Sequence, residues 1–75
     1  MTNEIITQLS ALFNVPKTKF DTWNMGYTVF IELPVTGLSF NRIRQLMQIL
    51  PADAILKAPN ANRSCLVVAF DNYIA

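Results

Sequence analysis

Among its 75 residues this chain has no histidine, one cysteine and two glycines, and each shortage closes off a class of chemistry. Without histidine, no side chain has an ordinary pKa near neutrality to serve as a base. Zinc and iron sites are built largely from imidazole and thiolate, and the common ligand sets cannot be assembled from Cys65 and the five scattered carboxylates Glu4, Asp21, Glu32, Asp53 and Asp71. No metal and no cofactor is therefore expected. Cys65 cannot form an internal disulfide. It lies in the apolar run Cys65-Leu66-Val67-Val68 and reads as a small buried hydrophobe in a reducing, intracellular setting. The two glycines, Gly26 and Gly37, stand in turn-like contexts, and no G-x-G-x-x-G run, P-loop or G-x-S-x-G elbow occurs. The chain reads as a non-enzyme.

Charge is scarce as well. Only 15% of residues are charged and the formal net charge is +1, so the concentrated basic field that most directly signals nucleic acid is missing. No apolar stretch reaches the roughly 20 residues needed to span a bilayer. The start, Met1-Thr2-Asn3-Glu4, lacks the basic segment of a secretory signal. The expectation is a cytoplasmic protein with no membrane association. One pair of carboxylates, Asp21 and Glu32, can approach across a hairpin, and two solvated charges on strand edges is its plain reading. Arg63 is the only local cation able to lower the pKa of Cys65.

Apolar residues are abundant: they make up 52% of the chain, and its mean hydropathy is +0.30. A chain this short supports one core and one domain, 1–75, and has little apolar surface to spare. Some of the excess is expected to be buried between chains.

Two runs, Thr2–Leu33 and Ser39–Phe70, repeat one order of elements: an amphipathic helix, an alternating segment, a short polar turn and a second alternating segment. In residues 3–13, Ile5, Ile6, Leu9, Leu12 and Phe13 fall within an arc of about 120° on a helical wheel, and Asn14-Val15-Pro16 ends the helix. Lys17–Trp23 suits an exposed or edge strand, and Asn24-Met25-Gly26 is the turn signal. Tyr27–Leu33 then places Tyr27, Val29, Ile31 and Leu33 on one face, toward the helices, and Thr28, Phe30 and Glu32 on the other. Pro34 stops that strand, and Ser39 is a good N-cap for a second helix. On that helix Phe40, Ile43, Leu46, Met47 and Leu50 share the buried side, with Arg42, Arg44, Gln45 and Gln48 among the outward residues. Pro51 closes it. Asp53–Lys57 reads as a short strand and Ala58–Asn62 as a polar turn. In Arg63–Asp71 both faces of the alternation are apolar, as in a central strand or one at an interface.

Two helix-strand-strand units give an α+β fold. They are the order obtained by moving the first strand of a ferredoxin-like βαββαβ fold to its C-terminus, where a hairpin joins two strands that lie side by side in the unpermuted fold. The expected structure is one four-stranded antiparallel sheet with both helices on one face. The two hairpins pairing across a dimer is the alternative use of the same elements.

That arrangement leaves one side of the sheet bare, with Phe30 and one apolar set from Cys65 to Ala69 on it. An exposed apolar surface of this kind marks an interaction site. The primary reading is a small non-catalytic module (adaptor, inhibitor or assembly subunit) that forms a homodimer or binds a partner protein there. Trp23, Phe30, Phe20 and Arg63 are the candidate partner-binding residues, with Trp23 as the first anchor to test against simple core packing. A second reading comes from Gly26–Leu33, which resembles the glycine-aromatic-apolar strand of RNA-recognition motifs, with Glu32 where that strand carries a further aromatic. The resemblance implies that Phe30, Trp23 and Phe20 stack on single-stranded bases while Lys17, Lys19 and Arg63 meet phosphates.

Overall fold

The computed structural model describes residues 2–60 and 62–71. In chain order they form the helix α1 (Thr2–Phe13), a one-turn 3-10 helix (Lys17–Lys19), the strands β1 (Asp21–Met25) and β2 (Thr28–Glu32), the helix α2 (Phe40–Ile49), and the strands β3 (Ile55–Lys57) and β4 (Val67–Asp71).

The stripe on α1 buries Ile5 and Leu9, with Ile6, Leu12 and Phe13 packed at its margins. Its end is set by Asn14, which takes φ 55°. Asparagine is one of the few residues that tolerate the left-handed region. The reversal lets the Val15 N–H donate to the Ser10 carbonyl at 3.2 Å, the long-range bond of a Schellman cap. Arg42 closes the same end by donating from Nη1 to the Leu12 carbonyl at 2.8 Å. A cation at this negative end of the helix dipole is favourable. α2 starts on Ser39, whose Oγ accepts from the Arg42 N–H at 3.3 Å as an N-cap should. Ser39→Ala is expected to cost about 1 kcal/mol and to lower the melting temperature by roughly 4–8 °C. A thermal melt followed by circular dichroism reads this directly, and an unchanged midpoint would show that the cap carries no stability.

The sheet runs β1-β2-β4-β3, and every neighbouring pair is antiparallel. This is the order a ferredoxin-like sheet takes after its first strand is moved to the C-terminus, with β3 and β4 joined through Pro59 and Asn60. β1 is an edge strand and β4 a central one, as their patterns indicate. Leu9 of α1 and Leu46 of α2 share one buried cluster with Val29, Ile31 and Leu33 at and beyond β2 and Val68 and Phe70 of β4. Both helices therefore cover the same face. Pairing continues past the end of β2, since Leu33 N–H donates to Leu66 O at 2.8 Å and Leu66 N–H to Val35 O at 2.9 Å. These bonds bracket Pro34, which has no N–H to offer.

Four local expectations need correction. Lys17–Lys19 forms a 3-10 turn, not the start of a strand, because Lys19 and Phe20 N–H groups close back on the Pro16 and Lys17 carbonyls. The hairpin turns on Gly26-Tyr27, with Met25 paired to Thr28. Of these two turn residues Gly26 alone, at the first central position, has positive φ, as in a type II′ turn. Tyr27 is thus a turn residue, 75% exposed, and not a core residue of β2. On α2 the buried edge runs through Leu46 and Leu50, whereas Phe40 and Met47 are 72% and 38% exposed. Those two lie about 100° or more around the wheel from Leu46 and fall off the edge of the contact. Finally, the Arg63–Asp71 strand begins only at Val67, since Asn60 folds the preceding residues into a loop.

Candidate interaction face

The register of the four strands lays out the side of the sheet opposite the helices in three rows. The middle row is Trp23, Phe30, Ala69 and Ile55, one residue from each strand in the order β1, β2, β4, β3. On one side of it run Asp21, Glu32, Val67 and Lys57, and on the other Met25, Thr28 and Asp71. Side chains alternate along a strand, so each row is fixed by the burial of Val29, Ile31, Val68 and Phe70 on the helix side.

Trp23 and Phe30 are direct cross-strand partners. Their rings stack with centroids 5.3 Å apart and an interplanar angle of 4°, a pairing that adds to sheet stability beyond the area it covers. Each ring also carries a cation. The Arg63 guanidinium lies 4.2 Å from the Trp23 centroid and the Lys57 ammonium 5.6 Å from that of Phe30.

Arg63 is brought there by the β3–β4 loop. Asn60 Oδ1 accepts from the N–H groups of Asn62 and Arg63, at 2.8 and 3.0 Å, and the Asn60 N–H donates to the Arg63 carbonyl at 2.8 Å. This is an asparagine turn that folds the loop back on itself. From that base the Arg63 Nη1 donates to Asp21 Oδ2 at 2.7 Å and to Glu32 Oε1 at 3.2 Å. The hydrogen bond to Asp21 chiefly, opposed by desolvation and assisted by Glu32, holds the guanidinium above its already high ordinary pKa. The Asp21–Glu32 pair is therefore bridged by a cation rather than left as two solvated charges. Ion pairs this exposed contribute little to stability. Their effect is to orient Arg63 over Trp23.

At the other end of the face Thr28 Oγ1 donates to Asp71 Oδ1 at 2.8 Å, and Asp53 Oδ2 accepts from the Asp71 N–H at 2.9 Å. Between these carboxylates and Lys57 lies a shallow depression of about 300 Å³. Ala69 lies along it, with Phe30 on one side and Ile55 on the other. The small side chain of Ala69 between two larger neighbours makes the hollow.

Of the four candidate residues, Trp23, Phe30 and Arg63 come together on this face. Phe20 does not. It is 8% exposed, belongs to the core cluster and packs on Phe13 with ring centroids 6.2 Å apart. The 3-10 turn before it sets its side chain inward. The bare apolar strip expected from Cys65 to Ala69 is also smaller than its pattern suggests, because Val67 and Ala69 are 5% and 2% exposed, each flanked by taller cross-strand neighbours. Cys65 is a free, partly exposed thiol just before β4.

Ile55, Lys57, Asp53 and Asp71 complete the face and carried no sequence motif. The signal for Ile55 and Lys57 was their alternation with Leu56, readable only once the β3–β4 register is known. Among the described residues no helix is long and apolar enough to cross a membrane, and no group of three or more histidine, cysteine, aspartate or glutamate side chains is placed to hold a metal. Comparison of the chain with family models, curated proteins and solved structures found no match to any of them.

Proposed function

We propose that this chain is a small non-catalytic interaction module that takes up a partner protein, in the simplest case a copy of itself, on the open face of its sheet. The observation that carries this reading is the middle row. Trp23 and Phe30 form a stacked aromatic pair, and Ile55 across the depression is 57% exposed. Met25, at the corner of the same face, is 68% exposed. A pre-ordered aromatic pair next to a hollow and an exposed aliphatic group is the kind of surface at which interface energy concentrates. A cytoplasmic setting belongs to the same reading and is supported by the unpaired thiol of Cys65.

The nucleic-acid reading draws support from Arg63 and Lys57, which sit on the two rings. Two features of the face weigh against it. Bases would have to displace those cations or part the stacked rings. Phosphates would also meet Asp21, Glu32, Asp53 and Asp71, four carboxylates against two cations.

Ile55→Lys tests the choice. Lysine is an ordinary residue on an exposed edge strand, so the melting temperature should stay close to that of the wild type. Sedimentation and capture of protein partners on immobilised chain should both be strongly reduced, and short single-stranded oligonucleotides should produce no salt-sensitive signal with either protein. Association indifferent to Ile55→Lys, or oligonucleotide binding that weakens with salt, would contradict the proposal.

A further inference from the structure

We infer that the occupant of the sheet face is a second copy of this chain seated by its helix layer, so that copies join head to tail. The inference rests on the assignment of the sheet face as the docking surface and names what docks there.

Charge is divided between the two layers. The sheet face holds Asp21, Glu32, Asp53 and Asp71 against Arg63 and Lys57, an excess of two negative charges. The remaining charged residues are Lys17, Lys19, Arg42 and Arg44 against Glu4, on the helices and the 3-10 turn. The two helices alone carry Arg42 and Arg44 against Glu4, and with Lys17 and Lys19 of the turn that joins α1 to β1 the residues off the sheet face carry an excess of three positive charges. Neither Lys17, Lys19 nor Arg44 has an ion pair among the described residues. Among the described residues no carboxylate neutralises them.

Exposed apolar groups divide in the same way. Met25 and Ile55 lie on the sheet side, and Phe40 and Met47 lie on α2. Phe40, Arg44 and Met47 fall within about 60° of one another around the helix, and the Arg44 guanidinium lies 5.2 Å from the Phe40 centroid. Each layer therefore offers apolar groups set among charge, and the two signs are opposite. Two sheet faces meeting about a two-fold axis would bring eight carboxylates together against four cations. A helix layer meeting a sheet face pairs opposite charges instead. The molecule measures 33 × 27 × 23 Å, so a broad face is of the order of the 800 Å² that a standard interface buries on each partner. A junction between two different surfaces leaves one of each unused at the ends, and assembly continues until a ring closes or a chain extends.

Sedimentation velocity on the full chain tests this with Arg44→Glu, Ile55→Lys and their equimolar mixture. Wild type should associate with rising concentration and dissociate with added salt. Each variant alone should associate roughly tenfold or more weakly, equivalent to about 1.4 kcal/mol, because every copy has one damaged face. The mixture should recover a species no larger than a dimer, joined by the intact helix layer of the Ile55→Lys chain and the intact sheet face of the Arg44→Glu chain. Should either substitution lower the melting temperature substantially, Met47→Glu and Met25→Lys form a second pair with the same expectation.

Association lost in Ile55→Lys but kept in Arg44→Glu, with no recovery on mixing, would overturn the head-to-tail arrangement and leave the sheet face as the docking surface. Association untouched by both would overturn the two together. A wild-type chain that stays monomeric at every concentration would overturn the second copy as occupant, and capture of a different protein that Ile55→Lys abolishes would then still support the sheet face.

Discussion

Ile31→Asp is expected to leave no cooperative thermal transition. Ile31 is fully buried in β2, between Thr22 of β1 and Val68 of β4. It shares the core cluster with Leu9 and Leu46, so both helices depend on that position. Removing the side chain alone costs about 2–5 kcal/mol by the range for isoleucine truncation in cores. Aspartate adds a carboxylate to an all-apolar core cluster that holds no cation, a further penalty of several kcal/mol whether it stays ionised or takes up a proton. At roughly 0.05–0.15 kcal/mol per residue, a chain of this size has about 4–11 kcal/mol in total. The combined loss takes up most or all of that margin. Ile31→Val, by contrast, should cost about 0.5–1.5 kcal/mol and keep a sharp melt. Circular dichroism on the three proteins checks the pair of expectations. A cooperative melt in Ile31→Asp would mean that β2 presents its other face to the helices.

Leu46→Asp should unfold the domain for the same reason, acting from the helix layer. Leu46 is the one fully buried residue within α2, and the carbonyl it contributes ends the helix by accepting from the Leu50 N–H at 3.1 Å. The milder Leu46→Ala separates loss of packing from the cost of charge. It is expected to cost about 2–5 kcal/mol and to remain folded at low temperature with a much reduced midpoint. If Leu46→Asp melts like the wild type, α2 is not packed on the sheet. The head-to-tail inference would then lose the surface it relies on.

Much of the fold was legible because periodicity carries burial. Val29, Ile31 and Leu33 alternate cleanly, Leu66, Val68 and Phe70 do the same, and Leu9 and Leu46 anchor wheels with one apolar stripe. The repeated order of elements then restricts how four strands can join. Where the reading slipped, the deciding interaction was local and left no periodic trace. Gly26 takes the positive φ and shifts the turn by one residue, which moves Tyr27 from core to solvent. Phe20 looked like one more aromatic in an edge strand until the 3-10 turn set it inward. Phe40 matches the apolar period of α2, yet lies beyond the reach of the sheet.

The candidate face was legible in its aromatics and not in its polar groups. Trp23 and Phe30 could be matched through the first hairpin, which is short and strongly signalled. Arg63 was singled out, but its bridge to Asp21 and Glu32 depends on the asparagine turn at Asn60. Lys57, Asp53 and Asp71 are separated in sequence and meet only through the β3–β4 register. The negative excess on the sheet face is likewise invisible in a net charge of +1.

The most direct test follows the indole of Trp23 and the methyl groups of Ile55 and Met25 by NMR as the chain is concentrated. Docking on the sheet face is expected to shift these signals progressively, together with Met47 on the helix side, while the methyl groups of Leu9 and Ile31 in the core stay fixed. Signals of the sheet face that do not move with concentration, or shifts confined to α1, would contradict the assignment of that face as the site of assembly.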